Sequence, residues 1–215
     1  RGSFGFSAAE WLQQSLDKSL VVPLGVKSID DLLGGGVHSQ QILELVGQTA
    51  TGKTQLCMHC ILHTVVTADD VTAVYIDTGD SFSPSRMAEM FASQVDMQDD
   101  HSEADLAPEE SPEEFLAHVL SKIECYQAFN AFKMLEIIQN IYEQLKAQST
   151  AFYRSLRLVV IDSLAAVISP ILGGKQKIGH AVMMQISRLM KVIAHQFHVA
   201  VVVSGANSYH MLIII

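Results

Sequence analysis

The chain has 215 residues, of which 49% are apolar and 17% charged, and its formal net charge is −9. This length supports one sizeable core with at most a short appendage, and the charge argues against a protein that coats nucleic acid by bulk charge. No apolar run approaches the ~20 residues of a membrane span, and no signal peptide is visible. The three cysteines do not suggest a disulfide scaffold, so a reducing compartment is predicted.

Short β-rich runs alternate with helical patterns along the chain. The runs are Ile42–Val46, Val71–Asp77, Lys122–Phe129, Leu156–Asp162 and His198–Ser204. Their near-continuous hydrophobicity is typical of parallel strands that are covered on both faces. Between them, residues 134–145 and 182–197 place apolar side chains on one helical face. The alternation predicts an α/β domain whose mostly parallel central sheet is flanked by helices.

The strongest chemical motif is "GQTATGKT", which follows the run Ile42–Val46 and opens a helical pattern. It matches the phosphate-binding pattern GxxxxGK[ST] in the context that this pattern requires. Its glycines let backbone N–H groups point at phosphate oxygens, and the helix N-terminus behind them adds positive charge. The predicted ATP-binding residues are Gly47, Gln48, Thr49, Ala50, Thr51, Gly52, Lys53 and Thr54.

Magnesium has two candidate ligands in this reading. The hydroxyl of Thr54 is expected to bind Mg²⁺, and Asp162 ends an apolar strand at a place suited to hold the ion through water. The "CMHC" segment, Cys57 to Cys60, offers a competing metal or redox reading. No second CxxC completes a zinc site, so we expect two small buried cysteines on a packed helix.

The negative charge is concentrated in Ser93–Glu114, which holds nine acidic residues and no Lys or Arg. With two prolines and few apolar residues, the segment is interpreted as a mobile, solvated insert, or alternatively as a regulatory contact for a basic partner.

Six segments follow one another in the order found in the RecA-like eukaryotic strand-exchange recombinases: "GFSAAEW", "SIDDLLGGGV", "TGKTQLC", "VYIDTGDSFSPSRM", "VVIDS" and "VAVVVS". The stretch Val159–Ser204 most resembles the D-type recombinase paralogue group, and plant members are especially similar around "DTGDSFSPSR". The resemblance implies a RecA-type P-loop NTPase core over residues 23–204. A linker and protomer-docking segment (residues 1–22) would precede it, and a divergent tail (residues 205–215) would follow where the C-terminal strands of the family are missing.

The resemblance assigns further roles residue by residue. Arg86 occupies the position from which a guanidinium stacks on adenine, although it also fits an ordinary arginine on a helix face. Gly5, Phe6 and Ala9 resemble the segment by which one recombinase protomer docks on the next. A phenylalanine in such a stretch is equally able to fold back on its own core.

The first DNA-binding loop of the family aligns with Ser169–Ala181. There Gly173 and Gly174 are expected to give mobility, while Lys175 and Lys177 contact phosphates. A solvated loop with two lysines is the alternative. After Val203 the family places an asparagine that senses the γ-phosphate, and this chain departs from that pattern with "SGANSYHMLIII".

A second departure concerns catalysis. Active RecA-like ATPases carry a glutamate at the position of Gly79, and the neighbouring Asp80 is only a weak candidate for its replacement. The resemblance therefore implies a nuclear ATP- and Mg²⁺-binding subunit of a recombinase-paralogue complex, which assists filament assembly on single-stranded DNA in homologous recombination. The alternatives are an active DNA-dependent ATPase that remodels DNA itself and a nonfunctional truncated isoform.

Overall fold

The computed structural model describes residue 7 and residues 20–98, 112–172, 177–206 and 212–214. The strands in these ranges are β1 (Val21–Val22), β2 (Val37–His38), β3 (Ile42–Gly47), β4 (Thr72–Asp77), β5 (Ile123–Gln127), β6 (Leu156–Asp162), β7 (Ala200–Ala206) and β8 (Leu212–Ile214). The helices are α1 (Lys27–Leu32), α2 (Lys53–Thr67), α3 (Pro84–Gln98), α4 (Pro112–Ser121), α5 (Ala131–Ala147), α6 (Ala151–Arg154), α7 (Leu164–Leu172) and α8 (Lys177–Phe197).

The main sheet has the strand order β5-β4-β6-β7-β3-β8. The first five strands in this order are parallel to one another, and β8 runs antiparallel to β3. The short strands β1 and β2 form a separate antiparallel pair. The predicted α/β fold with a mostly parallel sheet flanked by helices is confirmed.

Helices cover both faces of this sheet, as the near-continuous apolar strands require. Along β4 the side chains alternate, so that Ala73 and Tyr75 join one buried cluster while Val74 and Ile76 join the other. The first cluster includes residues of α2, α3 and α4, and the second includes residues of α5, α7 and α8. The alternation along a strand therefore determines which helical layer each side chain faces. The same rule applies to the functional residues on the strands described below.

The acidic segment is helical at both of its ends. Helix α3 continues to Gln98, and α4 begins at Pro112, with Glu113 and Glu114 in its first turn. Proline at the first helical position and acidic residues in the first turn both favour a helix N-terminus. The predicted mobile insert, Ser93–Glu114, therefore overlaps two helices, and residues 99–111 lie outside the described ranges.

The tail contributes a strand to the sheet. β7 continues to Ala206, and β8 pairs with β3 in the register Glu44 to Ile214 and Val46 to Leu212. An apolar strand left unpaired at the edge of a sheet is an aggregation hazard. Strand β8 pairs with β3 and so covers the edge of that strand.

Candidate nucleotide-binding site

The predicted phosphate loop joins the carboxyl end of β3 to the start of α2. Gly52 precedes the helix in the left-handed conformation, with φ of 89°, and Ala50 is left-handed as well, with φ of 62°. Glycine adopts this conformation at no steric cost, whereas alanine in it costs about 1–2 kcal/mol. A strained residue of this kind is typical of functional loops, and here it lies beside the free N–H groups of a helix N-terminus.

Lys53 lies over this loop. Its ammonium Nζ donates hydrogen bonds to the carbonyl oxygens of Gly47, at 2.9 Å, and of Gln48, at 2.6 Å. The hydroxyl of Thr51 donates to the same Gln48 carbonyl at 2.9 Å, which tightens the turn. A cavity of about 230 Å³ is lined here by Ala50, Gly52, Lys53, Thr54 and Gln55. The residues at the start of α2, including Lys53, thus line one cavity beside the phosphate loop.

The underside of α2 anchors the loop to the sheet. Cys57 and Cys60 are both fully buried there, and they are free thiols. The prediction that "CMHC" is a packed helical segment is confirmed. The pKa of Cys57 is raised well above its ordinary value, mainly by burial and next by the charge of Asp162, while Lys53 lowers it. Asp162 and Lys53 therefore lie within electrostatic reach of the same helical turn.

Asp162 ends β6, two strands away from the phosphate-loop strand β3. Its side chain is only 5% exposed and accepts hydrogen bonds from two hydroxyl groups. The Tyr75 hydroxyl donates to Oδ2 at 3.0 Å, and the Ser204 hydroxyl donates to Oδ1. Both donors belong to the strands that flank β6, namely β4 and β7. Sequence reasoning noted Ser204 only as a departure from the family and missed Tyr75.

The available oxygen donors fit magnesium better than a metal held by protein ligands alone. The described residues contain no group of three or more His, Cys, Asp or Glu side chains that is placed to hold a metal ion. Mg²⁺ favours oxygen ligands, keeps several waters and is commonly bound by one or two protein groups together with substrate phosphates. The Thr54 hydroxyl and the Asp162 carboxylate match that donor set, so they are the residues that would hold the ion beside the phosphates.

The loop after β4 is organised by Asp77. This carboxylate is 1% exposed and accepts hydrogen bonds from the N–H groups of Gly79, at 3.0 Å, and Phe82, at 2.9 Å, and from the Ser81 hydroxyl, at 3.1 Å. These three bonds give Asp77 a structural role in holding the loop. Gly79 is exposed within this loop, and a Cβ built on it would meet no atom within 4 Å.

Asp80 points away from the phosphate loop. It is left-handed, with φ of 54°, and its Oδ1 accepts a hydrogen bond from the Gln127 side chain at 3.2 Å. Gln127 ends β5, on the far side of β4 from β6, β7 and β3. The strand order therefore places the Asp80 carboxylate toward the β5 edge of the sheet, whereas Lys53 follows β3 near the opposite edge.

Arg86 lies beside the start of the phosphate-loop helix. Its Nε donates to the side-chain oxygen of Gln55 at 3.2 Å, and its guanidinium also pairs with Glu89 at 2.7 Å. The Arg86 side chain remains 48% exposed, and its bond to Gln55 places it beside a residue that lines the cavity.

Several predicted residues lie outside the described ranges. Gly5, Phe6 and Ala9 of the docking segment are among them, as are Gly173, Gly174 and Lys175 of the DNA loop. Lys177 begins α8, although the position of its side chain is not described. Protomer docking and DNA contact therefore stay predictions. In the described part of the chain, no helix is long and apolar enough to cross a membrane.

A parallel sheet with a phosphate loop after β3 and an acidic residue at the end of β6 defines a RecA-type P-loop core. The chain matches the family model described as Rad51 over residues 16–208. It therefore belongs to the Rad51 family, a RecA-like, ATP-binding family of DNA repair and recombination.

Individual relatives agree with this assignment. The chain is 30% identical over 203 residues to "DNA repair protein RAD51 homolog 4" of Bos taurus, covering 94% of this chain and 57% of that protein. It is 35% identical over 208 residues to "Probable DNA repair protein RAD51 homolog 4" of Dictyostelium discoideum, covering 86% of this chain and 58% of that protein. It is also 28% identical over 211 residues to "DNA repair protein RAD51" of Saccharomyces cerevisiae, covering 94% of this chain and 46% of that protein.

The chain spans about half the length of these curated relatives. The two proteins named homolog 4 confirm the predicted resemblance to the D-type paralogue group. Membership of the Rad51 family implies nucleotide binding.

Proposed function

We propose that this chain is the ATP-binding subunit of a nuclear recombinase-paralogue complex in homologous recombination and double-strand-break repair. In that complex it assists the assembly of recombinase filaments on single-stranded DNA. It binds ATP with Mg²⁺ and hydrolyses the nucleotide slowly, so that the bound nucleotide mainly maintains an interface between subunits.

Nucleotide binding is supported by the phosphate loop and its neighbours. Gly52, Lys53 and Thr54, at the start of α2, line one cavity. Arg86 lies at the Gln55 side of that cavity, where a planar guanidinium is suited to stack on a base. The assignment of ATP rests on these groups together with membership of the family.

Slow hydrolysis is supported by the loop after β4, and this observation carries the proposal. Gly79 has no side chain with which to polarise an attacking water. Asp80 is hydrogen-bonded to Gln127 of β5, the strand at the edge of the sheet farther from the phosphate loop. Asp77 is already used by three donors of its own loop. A general base contributes about 10²–10⁴-fold to a rate, which is the loss expected when none of these residues supplies it.

Assembly is supported by the outer edge of the sheet. Within the described ranges β5 pairs only with β4, and no described strand pairs with the backbone N–H and C=O groups on its other side. A groove of about 580 Å³ adjoins this edge, with Phe82, Tyr126 and Ile137 among its apolar lining residues. An extended partner segment can add to such an edge as a strand and place its side chains in the groove.

Purification of the chain with its recombinase-paralogue partners, followed by single-turnover hydrolysis on the assembled complex, tests the proposal. A phosphate-loop variant of each subunit assigns the turnover to one site. We expect stable assembly and hydrolysis by this subunit far below 1 s⁻¹, the lower end of typical enzyme rates. Turnover of about 1 s⁻¹ at this site would support the alternative, an active DNA-dependent ATPase. Failure to assemble with any paralogue would favour a nonfunctional isoform.

A further inference from the structure

Three neighbouring strands direct hydroxyl groups and a carboxylate to one point beneath the phosphate-loop helix. Tyr75 of β4 and Ser204 of β7 reach Asp162 of β6 from the two strands that flank it. The register partner of Asp162 on β4 is Asp77, so the longer Tyr75 side chain reaches the carboxylate diagonally from two residues earlier. All three are almost completely buried, with exposed fractions of 0%, 5% and 0%. We name this group of three residues the hydroxyl clamp.

We infer that Tyr75 and Ser204 are positioning residues for magnesium, because they fix the orientation of the Asp162 carboxylate. This inference rests on the proposed nucleotide site and identifies two residues that act there through Asp162. Neither residue belongs to the predicted phosphate-loop, adenine, magnesium or DNA contacts.

The clamp holds both oxygens of the carboxylate. The Tyr75 hydroxyl bonds to Oδ2 and the Ser204 hydroxyl bonds to Oδ1, so rotation about the side-chain bonds of Asp162 would break one or both bonds. An ionised carboxylate offers about four acceptor positions. Two donors therefore leave acceptor capacity for water bound to a magnesium ion.

The backbone of Asp162 is fixed by Thr78, the residue that follows β4. Its carbonyl oxygen accepts a hydrogen bond from the N–H group of Thr78 at 2.9 Å. The Thr78 hydroxyl accepts from the N–H of Ser163 at 2.8 Å and donates to the Ser163 carbonyl at 3.0 Å. The main chain of Asp162 is thus held by Thr78, and its side chain is held by Tyr75 of β4 and Ser204 of β7, which is how outer residues orient a metal-binding group.

Packing alone does not account for the two hydroxyl groups. The Tyr75 ring contacts Phe82, with 4.9 Å between ring centroids, and phenylalanine would fill the same space. Ser204 follows three valines on β7, where an apolar residue would fit the buried layer equally well.

The position of Ser204 gives this contact a particular meaning. The family resemblance described above implies a γ-phosphate-sensing asparagine at this position. In this chain the side chain at that position donates to the magnesium-binding candidate instead. A hydrogen bond therefore connects Ser204, near the end of β7, to the Asp162 carboxylate.

Magnesium-dependent ATP binding tests the clamp. A fluorescent ATP analogue is titrated with Mg²⁺ on the full chain, and its affinity in EDTA is measured separately. We expect Tyr75→Phe and Ser204→Ala to raise the Mg²⁺ concentration for half-maximal binding roughly 10- to 100-fold, as changes in residues that orient metal ligands do. We expect nucleotide affinity in EDTA to stay unchanged, because Lys53 and the loop are not altered.

The matched control is Tyr153→Phe, which removes another mostly buried phenol that donates to a carboxylate, that of Glu124 at 3.0 Å. It should leave the Mg²⁺ dependence at the wild-type value. In an Asp162→Asn background, Tyr75→Phe should add no further effect, since coupled residues are not additive.

Each outcome decides between the two claims. Tyr75→Phe and Ser204→Ala variants that behave like Tyr153→Phe would overturn the clamp while leaving the proposed function intact. Equal losses of affinity with and without Mg²⁺ would also overturn it, because they would show a general structural role. A wild-type chain without Mg²⁺-dependent binding would refute the proposed function together with the clamp. Should Tyr75→Phe fail to fold, which thermal unfolding without nucleotide detects, Ser204→Ala decides alone.

Discussion

Replacing Gly79 with glutamate should convert this site from slow to faster ATP hydrolysis. A Cβ at Gly79 meets no atom within 4 Å, and its φ is outside the left-handed region, so the new side chain enters open space without backbone strain. The N–H of Gly79 that bonds to Asp77 is a backbone group and is retained. We therefore expect the loop to keep its shape and the stability to change by no more than about 1 kcal/mol.

The size of the effect follows from what a general base contributes. A carboxylate placed within reach of the attacking water accelerates proton transfer by about 10²–10⁴-fold. Because the side chain enters a site that has not been refined around it, and a misplacement of about 1 Å costs roughly 10²-fold, we expect an increase at or below the lower end of that range, about tenfold to a hundredfold. Single-turnover hydrolysis on the assembled complex measures it.

The matched control is Gly79→Gln, which has the same size and shape but no basic carboxylate. Equal rates for the glutamate and glutamine variants would refute the reasoning, because the loop would then not face the reacting phosphate. Asp80→Asn provides a second check. It should not change the wild-type rate, since Asp80 bonds to Gln127 rather than facing the phosphate loop.

Three further predictions concern binding, assembly and stability. Lys53→Ala should abolish the thermal shift produced by ATP and Mg²⁺. In the wild-type chain, an ATP concentration a thousand times the dissociation constant should stabilise the fold by about 4 kcal/mol. An unchanged shift in the variant would contradict the phosphate-loop assignment. Phe6→Glu should prevent co-purification with paralogues while leaving nucleotide binding intact, because a charge in an apolar pocket is costly, and size-exclusion chromatography would show this. Asn130→Ala should lower the free energy of unfolding by about 1 kcal/mol in denaturant titrations, because it removes the bond from the Lys133 N–H that caps α5.

The parallel core was predictable because its signals are local. Each central strand is a short, nearly continuous apolar run, and the phosphate loop is contiguous in sequence between β3 and α2. The burial of Cys57 and Cys60 followed from the same helical pattern. These features depend on neighbouring residues along the chain, and a single sequence contains them in full.

The hydroxyl clamp and the orientation of Asp80 were not predictable in this way. Tyr75 and Asp162 are 87 residues apart, and Ser204 is a further 42 residues away. Their contact depends on the order and register of β4, β6 and β7, which long-range packing determines. Likewise, the bond between Gln127 and Asp80 requires β5 to lie on the outer side of β4.

The antiparallel strand β8 has a consequence for local opening. It consists of three residues and, within the described ranges, pairs with β3 alone, so we expect it to detach while the five parallel strands and their helices stay folded. Its register places Leu212 opposite Val46, one residue before the glycine that begins the phosphate loop. Hydrogen exchange along β3 would therefore record two events on one strand, the release of its edge and the occupation of its carboxyl end by nucleotide.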